Sequence, residues 1–201
     1  MNLLTKVGLG VGSLASVGGL GYGIYHNITT STYSKLFKDT LLTTTSETHK
    51  TNWEARLVSL KVADKNTLVD ELGALKDKNT NATWIELRDW CNSNINNVVN
   101  KEDSKEYQNI QNYCTFSIKE QITNAIDEGK DEKWEVALQN LKKINENTEL
   151  DQELITAKGK ELNSGGKEAV KDWCSKAYKK PYKGPKDQDF KNALRICVAP
   201  A

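Results

Sequence analysis

Apolar residues recur along most of this chain at spacings of three and four. Trp53, Leu57 and Leu60 fall at i, i+4 and i+7, and Trp134, Leu138 and Leu141 do the same. That spacing lines one face of an α-helix. Leu68, Leu72 and Leu75 repeat it. Thr83 with Glu86 forms a capping box ahead of Trp84, Leu87, Cys91, Ile95 and Val98, which predicts a helix with those residues inward. Ser104 can cap a further helix with Tyr107, Ile110 and Cys114 inward. Near the end, Gly184-Pro185 makes a turn and Asp187 can cap a helix bearing Phe190, Leu194 and Cys197. Residues 115–128, with Ile118, Ile122 and Ile126 four apart, are expected to continue the preceding helix. No β-hairpin pattern and no strand–glycine–helix pattern competes, so the expected class is all-α.

The pattern occurs twice. Trp53, Glu54, Leu57 and Leu60 return as Trp134, Glu135, Leu138 and Leu141, an offset of 81. Leu68, Glu71 and Leu72 return as Leu150, Glu153 and Leu154 at 82. Asp89-Trp90-Cys91 returns as Asp172-Trp173-Cys174 at 83, and Tyr107, Asn109 and Cys114 match Phe190, Asn192 and Cys197 at the same offset. The order is kept while the offset drifts one residue at a time, as single insertions in loops allow. Each copy reads as four short helices, with Trp53, Leu57, Trp90, Trp134, Leu138 and Trp173 as the repeated core. Trp90 and Trp173 each precede a cysteine and so lie about 100° from it around the helix, on a core or unit-packing face.

Residues 7–25, VGLGVGSLASVGGLGYGIY, carry no charge. A bilayer core takes about 20 such residues. Tyr22 and Tyr25 suit an interfacial belt, and Lys6 with the α-amine is the only positive charge before Lys35. The expectation is one membrane span at residues 1–25, N-terminus inside and the remainder outside. A cleaved signal peptide would need a small-x-small site before a polar stretch, and none stands out. Residues 26–50, rich in Thr and Ser, read as a stalk with a helical patch at Leu36, Phe37, Leu41 and Leu42. Units then follow at 51–128 and 129–201.

Four cysteines permit three pairings. In an antiparallel helix pair, residues equidistant from the turn face each other. The midpoint of Cys91 and Cys114 falls beside Glu102 and Asp103, and that of Cys174 and Cys197 beside Pro185. Both are expected turns, so Cys91–Cys114 and Cys174–Cys197 are the expected disulfides, with four reduced core cysteines as the alternative. A loop of this size contributes about 3 kcal/mol when unstrained. Disulfides also agree with an outward-facing chain.

Charge narrows the partners. Lys plus Arg is 28 and Asp plus Glu 27, and beyond Lys6 the two cancel. Nucleic-acid binding is not expected from that balance. The basic run Lys176, Lys179, Lys180, Lys183 and Lys186 reads as a solvated helix end. The two histidines, His26 and His49, both fall before the repeats, so no Ser/His/Asp or Cys/His arrangement can be built there. A four-cysteine metal site would have to join two units and lacks a C-x-x-C spacing. No enzymatic activity, cofactor or metal is expected.

The start MNLLTKVGLGVGSLASVGGLGYGIY, the Thr/Ser-rich stretch, the spaced tryptophans and the pairs Trp90-Cys91 and Trp173-Cys174 resemble the large paralogous families of short proteins of hemotropic mycoplasmas. The resemblance runs over nearly the whole chain; Ile196-Cys197 stands where the pattern has Trp-Cys. It implies surface display and antigenic variation on a wall-less, blood-cell-attached bacterium, and it supplies no catalytic residue or ligand. The leading expectation is a surface protein that meets a host cell-surface or serum protein. An envelope protein that self-associates is the alternative and an enzyme the third reading. The oligomeric state and the partner are not legible.

Overall fold

Helices begin where the sequence places caps. In the computed structural model, which describes residues 31–200, Thr83 Oγ1 accepts from the Glu86 amide, and the Glu86 carboxylate accepts from the Thr83 amide at 2.9 Å. Ser104 caps through the Tyr107 amide at 3.1 Å, Asp151 through Leu154 at 2.9 Å and Asp187 through Phe190 at 3.0 Å. Nine helices form among the described residues: α1 (Tyr33–Leu36), α2 (Lys50–Val62), α3 (Asp70–Asp77), α4 (Trp84–Asn94), α5 (Lys105–Cys114), α6 (Trp134–Lys142), α7 (Gln152–Lys158), α8 (Gly166–Lys179) and α9 (Gln188–Ile196). β-Pairing there is limited to isolated bridges. The expected all-α class is what the described residues adopt. The expected span at residues 1–25 lies outside the described residues; among those described, no helix is long and apolar enough to cross a membrane.

Two cores form, one per copy. Tyr33, Trp53, Leu60, Leu72, Leu87 and Ile110 centre the first, and Ile118, Trp134, Leu141, Leu154, Val170 and Ile196 the second. In the first unit α2 packs on α4, which also meets α3 and α5. In the second, α6 and α7 pack on α8, and α9 closes against α6 and α8.

Three expectations change. The Thr/Ser-rich stretch is not a free stalk over its described part, because Tyr33, Phe37 and Leu42 are buried in the first core. Residues 115–128 do not extend α5. The helix ends at Cys114, Thr115 is extended, and Ile118, Ile122 and Ile126 are buried in the second core. Apolar residues four apart are here met by one 3-10 turn (Lys119–Gln121) followed by extended chain. The boundary between the two cores therefore lies in the extended chain around Phe116, ahead of the expected residue 128. Finally, α4 stops at Asn94, so Val98 is exposed while Val99 is buried, and in α9 Ala193 and Ile196 face inward while Leu194 is exposed.

Gly166 opens α8 against the preceding loop. A Cβ there would stand 2.8 Å from the Glu161 carbonyl oxygen and 3.0 Å from a Leu138 methyl. The backbone oxygen has little room to move, so Gly166→Ala is expected to cost about 1–3 kcal/mol of stability, read as a lowered urea midpoint at unchanged slope. An unchanged midpoint would refute the close approach.

The α4 cap gives a pH response. Glu86 accepts from Lys78 Nζ at 2.6 Å as well as from the Thr83 amide and hydroxyl, and these bonds hold its pKa down at about 2. A depressed carboxylate stabilises the fold above its ordinary pKa of 4.5 and loses that contribution as pH falls through about 2. Its exposure to solvent keeps the effect local. Acidification from about pH 6 to about pH 2 is expected to loosen the first turn of α4, measured as hydrogen exchange at Glu86 and Leu87. Glu86→Gln should show the looser cap already at neutral pH, with a flatter response. Parallel responses in both proteins would refute the assignment.

Candidate functional site

The most built feature of the molecule is a clasp that occurs once in each unit. Cys91 on α4 bonds Cys114 at the end of α5, with Cα atoms 5.7 Å apart. Cys174 on α8 bonds Cys197, just past α9, at 5.8 Å. Both pairings are the expected ones, and all four cysteines are fully buried.

Each cystine lies under an arm, residues 31–42 in the first unit and 116–126 in the second. The start of each arm is tied to the chain just after the first cysteine's helix. The Tyr33 amide donates to Asn97 O at 3.2 Å and the Val99 amide to Ser31 O at 2.8 Å. The second unit repeats this, Ile118 donating to Lys180 O at 3.0 Å and Tyr182 to Phe116 O at 2.7 Å. The end of each arm is tied to the second cysteine. The Leu42 amide donates to Cys114 O at 2.9 Å, and the Ile126 amide to Cys197 O at 2.9 Å. The return bonds, Phe116 to Thr40 O and Ala199 to Asn124 O, are both 2.9 Å. Tyr178 adds a hydroxyl bond to Cys197 O, and burial pushes its pKa up.

The duplication is therefore longer than the sequence showed. Thr32 bridges Val98 as Ser117 bridges Pro181, and Leu41 bridges Thr115 as Ala125 bridges Val198. Phe116 serves both units, its amide closing the first and its carbonyl opening the second. No linker separates them.

The repeated core residues sit as follows. Trp53, Trp134, Leu57, Leu138 and Trp173 are buried, and Trp90 is half-buried. Trp53 Nε1 donates to Thr43 O at 3.1 Å; Trp134 Nε1 has no hydrogen-bond partner among the described residues. Trp173 Nε1 donates to Asp151 at 2.6 Å. At the position equivalent to Asp151 the first unit has Val69, which offers no side-chain acceptor.

The sequence shows Asn109 and Asn192 recurring but not what they hold, and it does not single out Lys76 and Lys158. Asn109 accepts from the Val69 amide at 2.8 Å and donates to Thr67 O at 2.9 Å, while Asn192 donates to Glu149 O at 2.9 Å. Each pins the loop between the first two helices to the last helix. Asn recurring at an offset of 83 was the available signal. Lys76 and Lys158 also correspond, each donating to a carbonyl at the end of the first helix, Lys61 O and Ile144 O.

Arg56 joins the units. It is buried on α2, donates to Thr115 O at 3.0 Å and pairs with Glu120 of the second arm. Glu120 also accepts from the Ser117 amide at 2.6 Å. Burial pulls the Arg56 pKa down, and the Glu120 carboxylate opposes that pull. The equivalent residue in the second unit is Ala137.

Exposed Glu54, Glu71 and Asp89 repeat as Glu135, Glu153 and Asp172, but one outer site does not. Where the first and third helices of the first unit meet, Lys50 Nζ and Arg88 Cζ lie 5.9 and 5.3 Å from the Trp84 ring centre, within cation–π range. At the equivalent positions the second unit has Asp131, Lys167 and Lys171, with Asp131 paired to the lysines at 3.0 and 2.7 Å. Those lysines, Lys171 first, hold the Asp131 carboxyl below its ordinary value.

The described residues hold no group of three or more His, Cys, Asp or Glu placed to bind a metal ion. All four cysteines are in disulfides. His49 Nδ1 accepts from the Thr43 amide at 2.9 Å, and its ring meets Phe116 edge-on at 4.9 Å. Of the basic run, Lys176 pairs with Glu153 at 3.0 Å and Lys180 with Asp189 at 2.8 Å. Two open grooves of the second unit each hold an ion pair, Arg195 with Glu149 at 2.7 Å in one and Lys176 with Glu153 at 3.0 Å in the other.

Together these features define a tandem all-α protein, each unit an arm and four helices closed by a buried disulfide. Comparison with protein-family models, curated proteins and solved structures finds no match.

Proposed function

We propose that this chain is a surface-displayed, non-enzymatic interaction protein whose two clasped units carry exteriors free to diverge. The observation that carries the reading is that the interior repeats while one outer site, where the first and third helices meet, is exchanged for a different chemistry. Trp53 and Trp134, the cystines, and Asn109 and Asn192 repeat, whereas Lys50, Trp84 and Arg88 become Asp131, Lys167 and Lys171. An interior held by disulfides tolerates such exchange, because the outer side chains carry little of the stability. Buried cystines fit an oxidising exterior. The uncharged run at residues 7–25 fits a single span holding the chain at the membrane with its C-terminal part outside. The resemblance noted from the sequence points the same way, and a host cell-surface or serum protein is the proposed partner.

Two measurements test this. Protease added to intact cells should remove the epitopes of residues 31–201. The same region, immobilised, should retain a defined host surface or serum protein, and retention should fall when Lys50, Trp84 and Arg88 are together replaced by Asp, Lys and Lys with the helical circular dichroism unchanged. Epitopes protected on intact cells, or no host protein retained and no antibody recognition in infected hosts, would overturn the proposal.

A further inference from the structure

The geometry points to a redox-gated clasp: each disulfide fixes the spacing between the two backbone ties that hold its arm, so that reduction releases the arm while the helices of the unit stay folded. The arm spans two anchorages. One is the chain just after α4 (or α8), four to eight residues beyond the first cysteine; the other is at the second cysteine itself. The disulfide is the covalent link between those anchorages. Without it the anchorage after α4 is held to α5 through the loop from Ile95 to Ser104, by side-chain packing and by the exposed bond from the Asn97 side-chain amide to Glu106 at 3.0 Å. Each arm is closed on itself by internal turns, Phe37 donating to Tyr33 O and Leu41 to Phe37 O in the first and Gln121 to Ile118 O and Ile122 to Lys119 O in the second, so it does not stretch and a change in anchorage spacing falls on the two ties. The reverse also holds. Each cystine is fully buried in the same core as its arm residues, Tyr33, Phe37 and Leu42 in the first unit and Ile118, Ile122 and Ile126 in the second. A docked arm therefore keeps reductant out, and a loosened one lets it in. Two units built from different arm sequences share the arrangement, which makes it a property of the clasp and not of particular side chains.

The chemistry is ordinary thiol–disulfide exchange with a dithiol as the reductant. One thiolate of the dithiol attacks a sulfur of Cys91–Cys114, forming a mixed disulfide and expelling the other cysteine, which takes up a proton. The dithiol's second thiolate then displaces the remaining cysteine and leaves as a cyclic disulfide. Two electrons and two protons have passed to the cysteines.

The test uses the full chain, with the second unit as internal reference. In C91A/C114A, hydrogen exchange at the Leu42, Val99 and Phe116 amides should lose about 100-fold or more of its protection. The α2 amides of Leu57 and Leu60 should fall only with the global stability of the unit and stay at least about 100-fold better protected than Leu42, and those of Ile126 and Ala199 should not change. Retained protection at Leu42 would overturn the inference. So would equal protection at Leu42 and Leu57, which would mean the unit melts as one body. The converse variant, Leu42→Pro, removes the amide that bonds Cys114 O and leaves both cystines in place. Dithiothreitol should then reduce Cys91–Cys114 at least about tenfold faster than in the parent, with Cys174–Cys197 unchanged, read by alkylation and mass spectrometry. An unchanged rate, or loss of α2 protection in that variant, would also overturn it.

Discussion

A fragment of residues 129–201 is expected to keep its helices but to melt well below a fragment of residues 116–201. The shorter fragment begins where the sequence repeat places the second unit, and it lacks the arm. Ile118, Ile122 and Ile126, at 0%, 5% and 1% exposure, are then missing from the core. Each buried isoleucine contributes roughly 1.5–3 kcal/mol, so the arm accounts for about 5–9 kcal/mol before its ordering entropy is subtracted. A domain of this size has on the order of 5–10 kcal/mol of net stability, and small domains sit at the low end. The carbonyl groups of Lys180 and Cys197 also lose their amide partners. Circular dichroism melts and amide proton dispersion decide the matter. Cooperative melting of residues 129–201 at a midpoint near that of the longer fragment would show the arm to be an ornament.

The second large effect is expected at the junction. Glu120→Ala should destabilise the chain by about 3 kcal/mol, because it leaves the buried Arg56 guanidinium with Thr115 O as its remaining partner. Arg56→Met should cost less, since the Glu120 side chain retains 20% exposure and keeps the Ser117 amide. The double variant should be less destabilised than the sum of the two, as partners in one network require. Urea unfolding of the four proteins measures this cycle. Changes below about 0.5 kcal/mol throughout would place the pair among surface contacts that contribute little.

The helices, their caps and the cysteine pairing were legible in the sequence for physical reasons. Trp and Cys are rare enough for a recurring order to stand out, and helical spacing is written in side chains three and four apart. Thr83–Glu86, Ser104 and Asp187 carry cap chemistry in their identities. The arms were not legible, because their ties are made by backbone amides and carbonyls that any residue supplies. Their apolar residues also differ between copies: Tyr33 answers to Ile118, Phe37 to Ile122 and Leu42 to Ile126. With Thr and Ser around it, the first arm reads as a stalk; with isoleucines four apart, the second reads as more helix. Arg56 and Glu120 were hidden for another reason. Neither recurs in the other copy, and a junction between two units occurs once.

The same distinction separates what the units keep from what they exchange. Backbone ties, cystines and the Asn109 and Asn192 pins hold a unit closed without reference to its exterior. A cation–π contact at Trp84 and an ion cluster at Asp131 then serve equally well at the same place on the surface.

Both clasp and display depend on where the sulfur atoms end up in the living cell. Protein taken directly from its cells with free thiols blocked at lysis, then mapped by mass spectrometry without reduction, answers that question. Peptides joined as Cys91–Cys114 and Cys174–Cys197, with no blocked thiol at any of the four, are the result expected. Four blocked thiols, or a bridge running from one unit to the other, would contradict the account.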